Sequence, residues 1–197
     1  MKIIKLFRIA ILFTMIISGF KSYSQSATGI GLGYGPSKPF SNDYNFGSGV
    51  QLFGNLAIAD KWEIVPSLGL ESINSKGRTY QAAPYNIKHI GNVSLIYLGA
   101  SAKYDFNRRF FVKAGPTLYV GAGGDDVAAA GISGMAAGGY NWDLDEHSTL
   151  ELSLFTTVID IETTGRGVTP IAGFKVAYVF NFSRGKLKPP PGRPPGF

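Results

Sequence analysis

Hydrophobic and polar residues alternate with a period of two along most of the chain after its first 27 residues. Such alternation is typical of β-strands whose two faces meet different surroundings. The pattern is clearest near the C-terminal end, where IAGFKVAYVFNF sets large apolar side chains against Gly, Lys, Ala and Asn. The alternation predicts eight strands: Thr28–Pro36, Phe46–Ala59, one beginning at Trp62, Asn92–Tyr104, Phe110–Val120, Ile132–Leu144, Thr149–Asp160 and Ile171–Phe182.

The connections between these strands alternate in length. Three are tight turns and four are longer loops, and short and long connections alternate along the chain. Short turns at one end and long loops at the other are typical of outer-membrane barrels, in which the short turns face the periplasm. We therefore predict an all-β fold, an eight-stranded antiparallel transmembrane up-and-down β-barrel over residues 27–182, with both termini in the periplasm. The tight turns are 59–61, 105–109 and 145–148, and the loops are 37–45, 75–88, 121–131 and 161–170.

Aromatic residues support this orientation, because six of them fall at the strand ends nearest the short turns. Aromatic side chains concentrate where a membrane meets water. One interfacial girdle is therefore expected at the turn end, made of Trp62, Tyr104, Phe110, Trp142, Phe180 and Phe182.

Charged residues within the predicted strands belong inside the barrel. A charge facing lipid near the middle of the bilayer costs about 2–4 kcal/mol, so it is placed on the inner face. Three acids and three bases can pair there as a structural network that fills the lumen, and a path for protons or ions is the alternative reading. The six residues are Glu63, Glu71, Lys103, Lys113, Glu151 and Lys175.

Composition fits such a barrel and excludes several other classes of protein. The chain has 26 Gly, 14 Phe and 10 Tyr, only 16% charged residues, and no Cys. The absence of Cys excludes disulfides, thiolate metal sites and Cys nucleophiles. The net charge of +6 comes from the two ends of the chain, since residues 25–183 hold 11 Lys and Arg against 13 Asp and Glu. A basic domain that would bind nucleic acid is therefore not predicted.

The first 24 residues predict a signal peptide. Three basic residues precede an apolar run of 12 residues, Ile9–Phe20, and small residues follow at Ser22 and Ser24. This is the order found in secretory signal peptides, and the run is shorter than the ~20 residues of a spanning helix. Cleavage is expected after Ser24, with Ser26 as an alternative position. A retained membrane-anchoring helix is the alternative to cleavage.

The stretch 94–121, SLIYLGASAKYDFNRRFFVKAGPTLYVG, resembles the small outer-membrane β-barrel family common in Bacteroidetes. The resemblance rests on Lys103, Tyr104 and Phe106 at the end of one strand and on Gly115 and Pro116 in the next. It implies the barrel fold but no single task, because the family includes porin-like, adhesion, defence and secretion-system proteins.

The last strand also resembles the signal that the outer-membrane assembly machinery reads, which implies this machinery as a partner. A basic, Pro-rich tail, 183–197, follows, whereas many such proteins end at the terminal aromatic residue. Five prolines in residues 189–195 predict an extended periplasmic segment, either a free end or a tether to a periplasmic partner. The alternating residues of the signal are Phe174, Val176, Tyr178, Phe180 and Phe182.

Candidate chemistry is sparse. The two histidines, His89 and His147, are predicted at opposite ends of the barrel, so they cannot share a metal or a triad. His89 with Ser94 or Glu71 is the one arrangement that a lipid-modifying enzyme could use. Two adjacent acids at 125–126 supply few of the six to eight oxygen ligands that a calcium site needs. We therefore predict no catalytic, cofactor or metal site.

Two classes of function remain open. The favoured one is a non-enzymatic outer-membrane barrel, in contact with outer-membrane lipid, that is structural or binds through its outer loops. The alternative is a small-solute porin, and a lipid-modifying enzyme is the least favoured. Large side chains predicted to point into the lumen favour the first class: Tyr97, Phe111, Tyr119 and Phe155.

Overall fold

The computed structural model describes residues 28–83, 86–89, 91–123, 127–160 and 168–183. Regular structure within these ranges is entirely β, and they contain no helix long and apolar enough to cross a membrane. The predicted signal peptide, the two adjacent acids at 125–126 and the tail beyond residue 183 lie outside the described residues.

Eight strands close into a single antiparallel barrel, as the alternation predicted. Sequential barrel strands are neighbours, and the first strand pairs with the last. Two further short strands form a separate hairpin inserted between the third and fourth barrel strands, where a loop was predicted. The strands are β1 Thr28–Pro39, β2 Gly47–Ala59, β3 Trp62–Ile73, β4 Thr79–Ala83, β5 Asn86–His89, β6 Val93–Asp105, β7 Phe110–Gly123, β8 Val127–Asp143, β9 Ser148–Asp160 and β10 Val168–Ser183.

Closure depends on the pairing of β1 with β10. Leu32 pairs with Tyr178, and the ladder continues with few interruptions from Thr28 to Pro39. An open sheet would leave the backbone N–H and C=O groups of two edge strands without partners. Each such group costs several kcal/mol in hydrocarbon, so a closed barrel is the form of sheet that can span a bilayer.

The two faces of the wall are inverted relative to a water-soluble protein. The outward-facing side chains of Leu32, Leu98 and Leu154 are 58%, 56% and 67% exposed, whereas the inward-facing Glu151 is 1% exposed. Apolar outside and polar inside is the arrangement that a lipid environment favours. Lipid is the solvent that this exterior suits.

The aromatic side chains at the turn end form the girdle that the sequence predicted. Trp62 and Tyr104 lie on neighbouring strands with ring centroids 4.9 Å apart, and Phe180 and Phe182 are 5.6 Å apart. Trp142 is 58% exposed on the same outer surface. These contacts set a band of partly exposed rings around the end of the barrel that carries the short turns.

One glycine marks a close approach between strands. A Cβ at Gly115 would contact the backbone carbonyl of Ala100 on β6. The β6–β7 ladder is interrupted at this level, between the Gly99–Thr117 and Ala102–Ala114 pairs. The next residue, Pro116, has no N–H to donate. Gly115 therefore lets β7 lie against β6 where regular pairing is broken.

Candidate functional site

The inner face of the barrel carries a dense set of charges close to the short turns. The ammonium of Lys103 lies 3.2 Å from Glu63, 3.6 Å from Glu151 and 3.9 Å from Asp105. Lys113 donates a hydrogen bond of 2.7 Å to the other oxygen of Glu151. We call these five residues the turn-side cluster. Glu151 is its centre, because its two carboxylate oxygens face two different lysines.

Aromatic rings complete the surroundings of the two lysines. The Lys103 ammonium lies 4.6 Å from the centroid of the Phe111 ring, and the Lys113 ammonium lies 5.1 Å from that of Phe53. A ring face attracts a cation and fills space without adding an acceptor that needs its own donor. The turn-side cluster therefore combines ion pairs with close packing.

A second charge group lies nearer the long loops. The ammonium of Lys175 is 3.8 Å from Glu71, donates to the hydroxyl of Tyr97 at 2.8 Å, and lies 4.3 Å from the ring centroid of Phe155. The hydroxyl of Ser37 donates to the other carboxylate oxygen of Glu71. We call Ser37, Glu71, Tyr97 and Lys175 the loop-side group.

The structure thus buries all six charged residues that the sequence placed in the lumen, and it sorts them into two separate groups. Asp105, Ser37 and Tyr97 were missing from the predicted set. Asp105 was assigned to a turn, and its contact with Lys103 depends on the way the end of β6 faces the lumen. Tyr97 was expected only to fill space, and its hydroxyl serves as the acceptor for Lys175.

Apolar side chains close the lumen at the loop end, and of these the sequence predicted only Tyr119 to point inward. Val93 and Leu95 of β6 are both buried inside the barrel, on the face that carries Ser101 and Lys103 further along the strand. They belong to one apolar cluster that also includes Tyr44 from the first loop. This outer plug consists of Tyr44, Ile73, Val93, Leu95, Tyr119, Ile159 and Ile171.

A small cavity lies between the outer plug and the loop-side group. Its volume is about 40 Å³, and its lining includes Glu71, Thr117 and Lys175. A cavity needs at least about 10–15 Å³ to hold a water, which takes about 30 Å³ in the liquid, so this one has room for about one water. The hydroxyl of Thr117 is buried there without a hydrogen-bond partner among the described protein atoms, so it is a suitable partner for such a water.

The lumen is also filled at other levels. Phe111, Val65 and Ser101 are each less than 2% exposed, and they lie on three different strands. An eight-stranded barrel encloses a space that side chains can fill completely. Together with the outer plug, these residues leave the interior packed rather than open.

At the loop end, the first loop and the base of the inserted hairpin are tied together. Tyr44 forms a β-bridge with Ser75, and the Lys76 N–H donates to the Asp43 carbonyl at 2.9 Å. The Arg78 guanidinium lies 3.6 Å from the Asp43 carboxylate. These contacts hold the residues that lead from β3 into β4 against the rim of the barrel.

The two residues considered as partners of His89 lie on opposite faces of the wall. Ser94 is on the exposed outer face of β6, whereas the Glu71 side chain is buried in the lumen. The backbone of His89 pairs with Thr79 in the hairpin. His147 lies in the last short turn, where its ring stacks on Phe180 with centroids 6.3 Å apart. The histidines are therefore at opposite ends of the barrel, as predicted.

Several solved barrel structures superpose on this chain. The crystal structure of Neisserial surface protein A superposes with a TM-score of 0.59 at 16% identity and covers 80% of this chain and 98% of that chain. The attachment invasion locus protein Ail of Yersinia pestis, in complex with the heparin analogue sucrose octasulfate, has a TM-score of 0.50 at 12% identity and covers 79% and 97%. No family model matches the sequence, and no curated protein matches it. At these identities the likeness establishes the fold, which is that of small outer-membrane β-barrels.

Proposed function

We propose that this chain is a non-enzymatic integral outer-membrane protein that acts through its loop end, with a lumen closed by its own side chains. The observation that carries the proposal is the filled interior. The outer plug closes the loop end, and the turn-side cluster occupies the other end with paired charges. A barrel built in this way offers its outer surface and its loops to partners.

Opening the lumen to solutes would be costly. A path past the turn-side cluster would have to separate Lys113 from Glu151, both of which are about 95% buried or more. Breaking a buried pair by displacing one partner costs about 3–5 kcal/mol. A path past the outer plug would in addition expose apolar side chains to water. The porin alternative therefore requires a conformation different from this one.

The orientation that we propose places the short turns in the periplasm and the loop end at the cell surface. Two observations support it: the short turns all lie at one end of the barrel, and so do the girdle residues around Trp62 and Trp142. Small outer-membrane barrels have short periplasmic turns and longer extracellular loops. The bridge between Tyr44 and Ser75, which joins the first two loops, would then face the outside.

Conductance distinguishes the closed barrel from a porin. Residues 25–197, refolded and inserted into a planar lipid bilayer, are expected to show no steady channel openings. A porin of known conductance in the same bilayer shows that openings are detectable. Steady openings at the nanosiemens scale would overturn the proposal and favour transport of small solutes.

A second measurement tests the non-enzymatic part of the proposal. The refolded protein is incubated with lipopolysaccharide, and lipid A is then analysed by mass spectrometry. We expect no change in mass. A change that the wild-type protein produces and the His89→Ala variant does not would show a lipid-modifying activity.

A further inference from the structure

A groove marks the outer wall on the half of the barrel nearer the short turns. The groove has a volume of about 640 Å³. Its floor includes a row of exposed small residues, one on each of β6, β7, β8 and β9, and each is paired with the next: Ala102, Ala114, Ala136 and Thr156. The wall is therefore recessed across four neighbouring strands.

The two turns beside this groove carry opposite charges. The turn between β6 and β7 contains two bases and the region of the turn between β8 and β9 contains three acids, all of them exposed: Arg108 and Arg109, then Asp143, Asp145 and Glu146. β7 and β8 are neighbours, so the seam between them lies midway between the two turns. At ~4.8 Å between neighbouring strands, the middles of the turns are about 10 Å apart. The surface thus has a basic half and an acidic half on either side of its centre.

The arginines do not pair with these acids within one chain. Among the ion pairs of the described residues, none joins Arg108 or Arg109 to an acid of the neighbouring turn. The contact between the two strand ends is made by the backbone, from the Asn141 N–H to the Arg109 carbonyl at 2.6 Å. The two guanidinium groups are therefore available to carboxylates of another molecule.

We propose that two copies of this chain associate side by side in the membrane through the groove and its two charged turns, which we call the groove face. The twofold axis runs along the membrane normal, opposite the seam between β7 and β8. Rotation about this axis sets the basic turn of each copy against the acidic turn of the other. A twofold interface brings one patch against itself, so a patch with opposite charges on either side of the axis is self-complementary.

The shape of the groove face agrees with this arrangement. The same rotation places β9 of one copy opposite β6 of the other. Leu154 on β9 lines the groove and is 67% exposed, whereas Ala100 and Ala102 on the outer face of β6 are small. The projecting side chain of each copy is thus set against small residues of the other. Small residues let spanning segments approach closely in a membrane, where packing contacts replace the hydrophobic driving force.

Charge distinguishes a second copy from lipid as the occupant of the groove face. An acyl chain can fill an apolar groove, but it has no groups for a basic turn and an acidic turn at once. A second copy supplies both, and rotation about the membrane normal keeps every turn at its own depth. The association requires only that the barrel spans the membrane, so it is independent of the role proposed for the loop end.

Energy transfer between labelled copies in phospholipid vesicles tests the proposal. The chain has no Cys, so Phe40→Cys provides one position for a donor or an acceptor dye. This residue lies between β1 and β2, the strands opposite β7 and β8 in the barrel, and the dye is therefore away from the groove face. Transfer is measured while lipid is added to a fixed amount of refolded residues 25–197, which separates association from chance proximity.

Two charge variants are compared with the wild-type charges. Arg108→Glu/Arg109→Glu reverses the basic turn, and Asp143→Lys/Glu146→Lys reverses the acidic turn. Asp145 is kept, because its carboxylate accepts a backbone hydrogen bond within the turn. Heat-modifiable migration on SDS gels shows that each variant is folded.

We expect the wild-type charges to support association. Each charge variant alone should associate at least about tenfold more weakly, since four exposed ion pairs across the interface become repulsive contacts. An equal mixture of the two variants should regain the association of the wild type, because every turn then faces one of opposite charge. Association that neither variant weakens, or a mixture that stays as weak as its components, would overturn the proposal.

A bulky side chain in the groove provides a second arm. Ala114→Phe places a ring in the groove, and Val50→Phe places the same ring on the exposed face of β2 on the opposite wall. The first should weaken association as much as a charge variant does, and the second should leave it unchanged. Equal effects of the two ring variants would refute the proposal. Transfer by the wild type no greater than chance proximity would refute it as well, and would leave lipid as the occupant of the groove.

Discussion

Replacing Glu151 by Gln should destabilise the barrel more than any other single change of a lumen carboxylate. The side chain is 1% exposed, and its two oxygens face Lys113 at 2.7 Å and Lys103 at 3.6 Å. Gln keeps the shape of the side chain and removes its charge. Lys103 retains Glu63 and Asp105, whereas Lys113 keeps only a neutral amide acceptor and has no second carboxylate within 4 Å among the described residues.

The expected loss in the free energy of unfolding depends on Lys113, which loses its counter-charge. Leaving one partner of a buried pair without its counter-charge costs about 3–5 kcal/mol. The new amide still accepts a hydrogen bond from Lys113, so a loss at the lower end of this range, about 3 kcal/mol, is expected. Glu63→Gln should cost about half as much, because Lys103 still has Glu151 and Asp105. Adding Lys113→Met to Glu151→Gln should recover most of the loss, since it removes the unpaired charge.

Urea unfolding of the refolded barrel in phospholipid vesicles measures these differences. The fluorescence of Trp62 and Trp142, the two tryptophans of the chain, reports the transition. The matched control is Glu146→Gln in an exposed turn, which should change the free energy of unfolding by less than about 0.5 kcal/mol. A loss below about 1 kcal/mol for Glu151→Gln, or no recovery with Lys113→Met, would refute the role assigned to the turn-side cluster.

Three further predictions concern the wall and its assembly. Gly115→Val should lower the yield of folded barrel on SDS gels, because its side chain would meet the carbonyl of Ala100, whereas Gly134→Val, with nothing within 4 Å of its Cβ, should leave the yield unchanged; equal yields would contradict the close approach. Leu154→Arg should cost about 2–4 kcal/mol in vesicle unfolding if this exposed residue faces lipid, and an unchanged stability would place it in water. Phe182→Ser should reduce the folded fraction recovered from outer membranes of expressing cells, with Phe40→Ser as the control; a normal fraction would exclude Phe182 from the assembly signal.

The eight barrel strands could be predicted because each places different chemistry on its two faces. The limits of that signal appear in β8, which begins at Val127, five residues before the predicted start. Its first residues, VAAAG, are all small or apolar, so they carry no alternation. The β4–β5 hairpin was missed for a related reason. TYQAA and NIKH have only five and four residues, too few to show a clear period of two.

The charges inside the lumen could be predicted, but their partners could not. Solvation energy alone places Glu151 on the inner face, since a charge in lipid is costly. Its contacts with Lys103 and Lys113 cross the lumen between strands that are not all neighbours, so they depend on register and tilt. The outer plug was missed because its members come from five strands and one loop, and their contact depends on how the strand ends meet inside the barrel.

Spin labelling along β6 tests the inverted barrel most directly. The chain contains no Cys, so single cysteines at residues 95–103 can each carry one nitroxide label. In lipid vesicles, even-numbered positions such as 96, 98 and 102 should be accessible to oxygen and inaccessible to a polar nickel reagent. Odd-numbered positions such as 99 and 101 should be shielded from oxygen and strongly immobilised. Oxygen access at the odd-numbered instead of the even-numbered positions would contradict a membrane-spanning barrel with a filled interior. Equal access of the nickel reagent to odd- and even-numbered positions would contradict it as well.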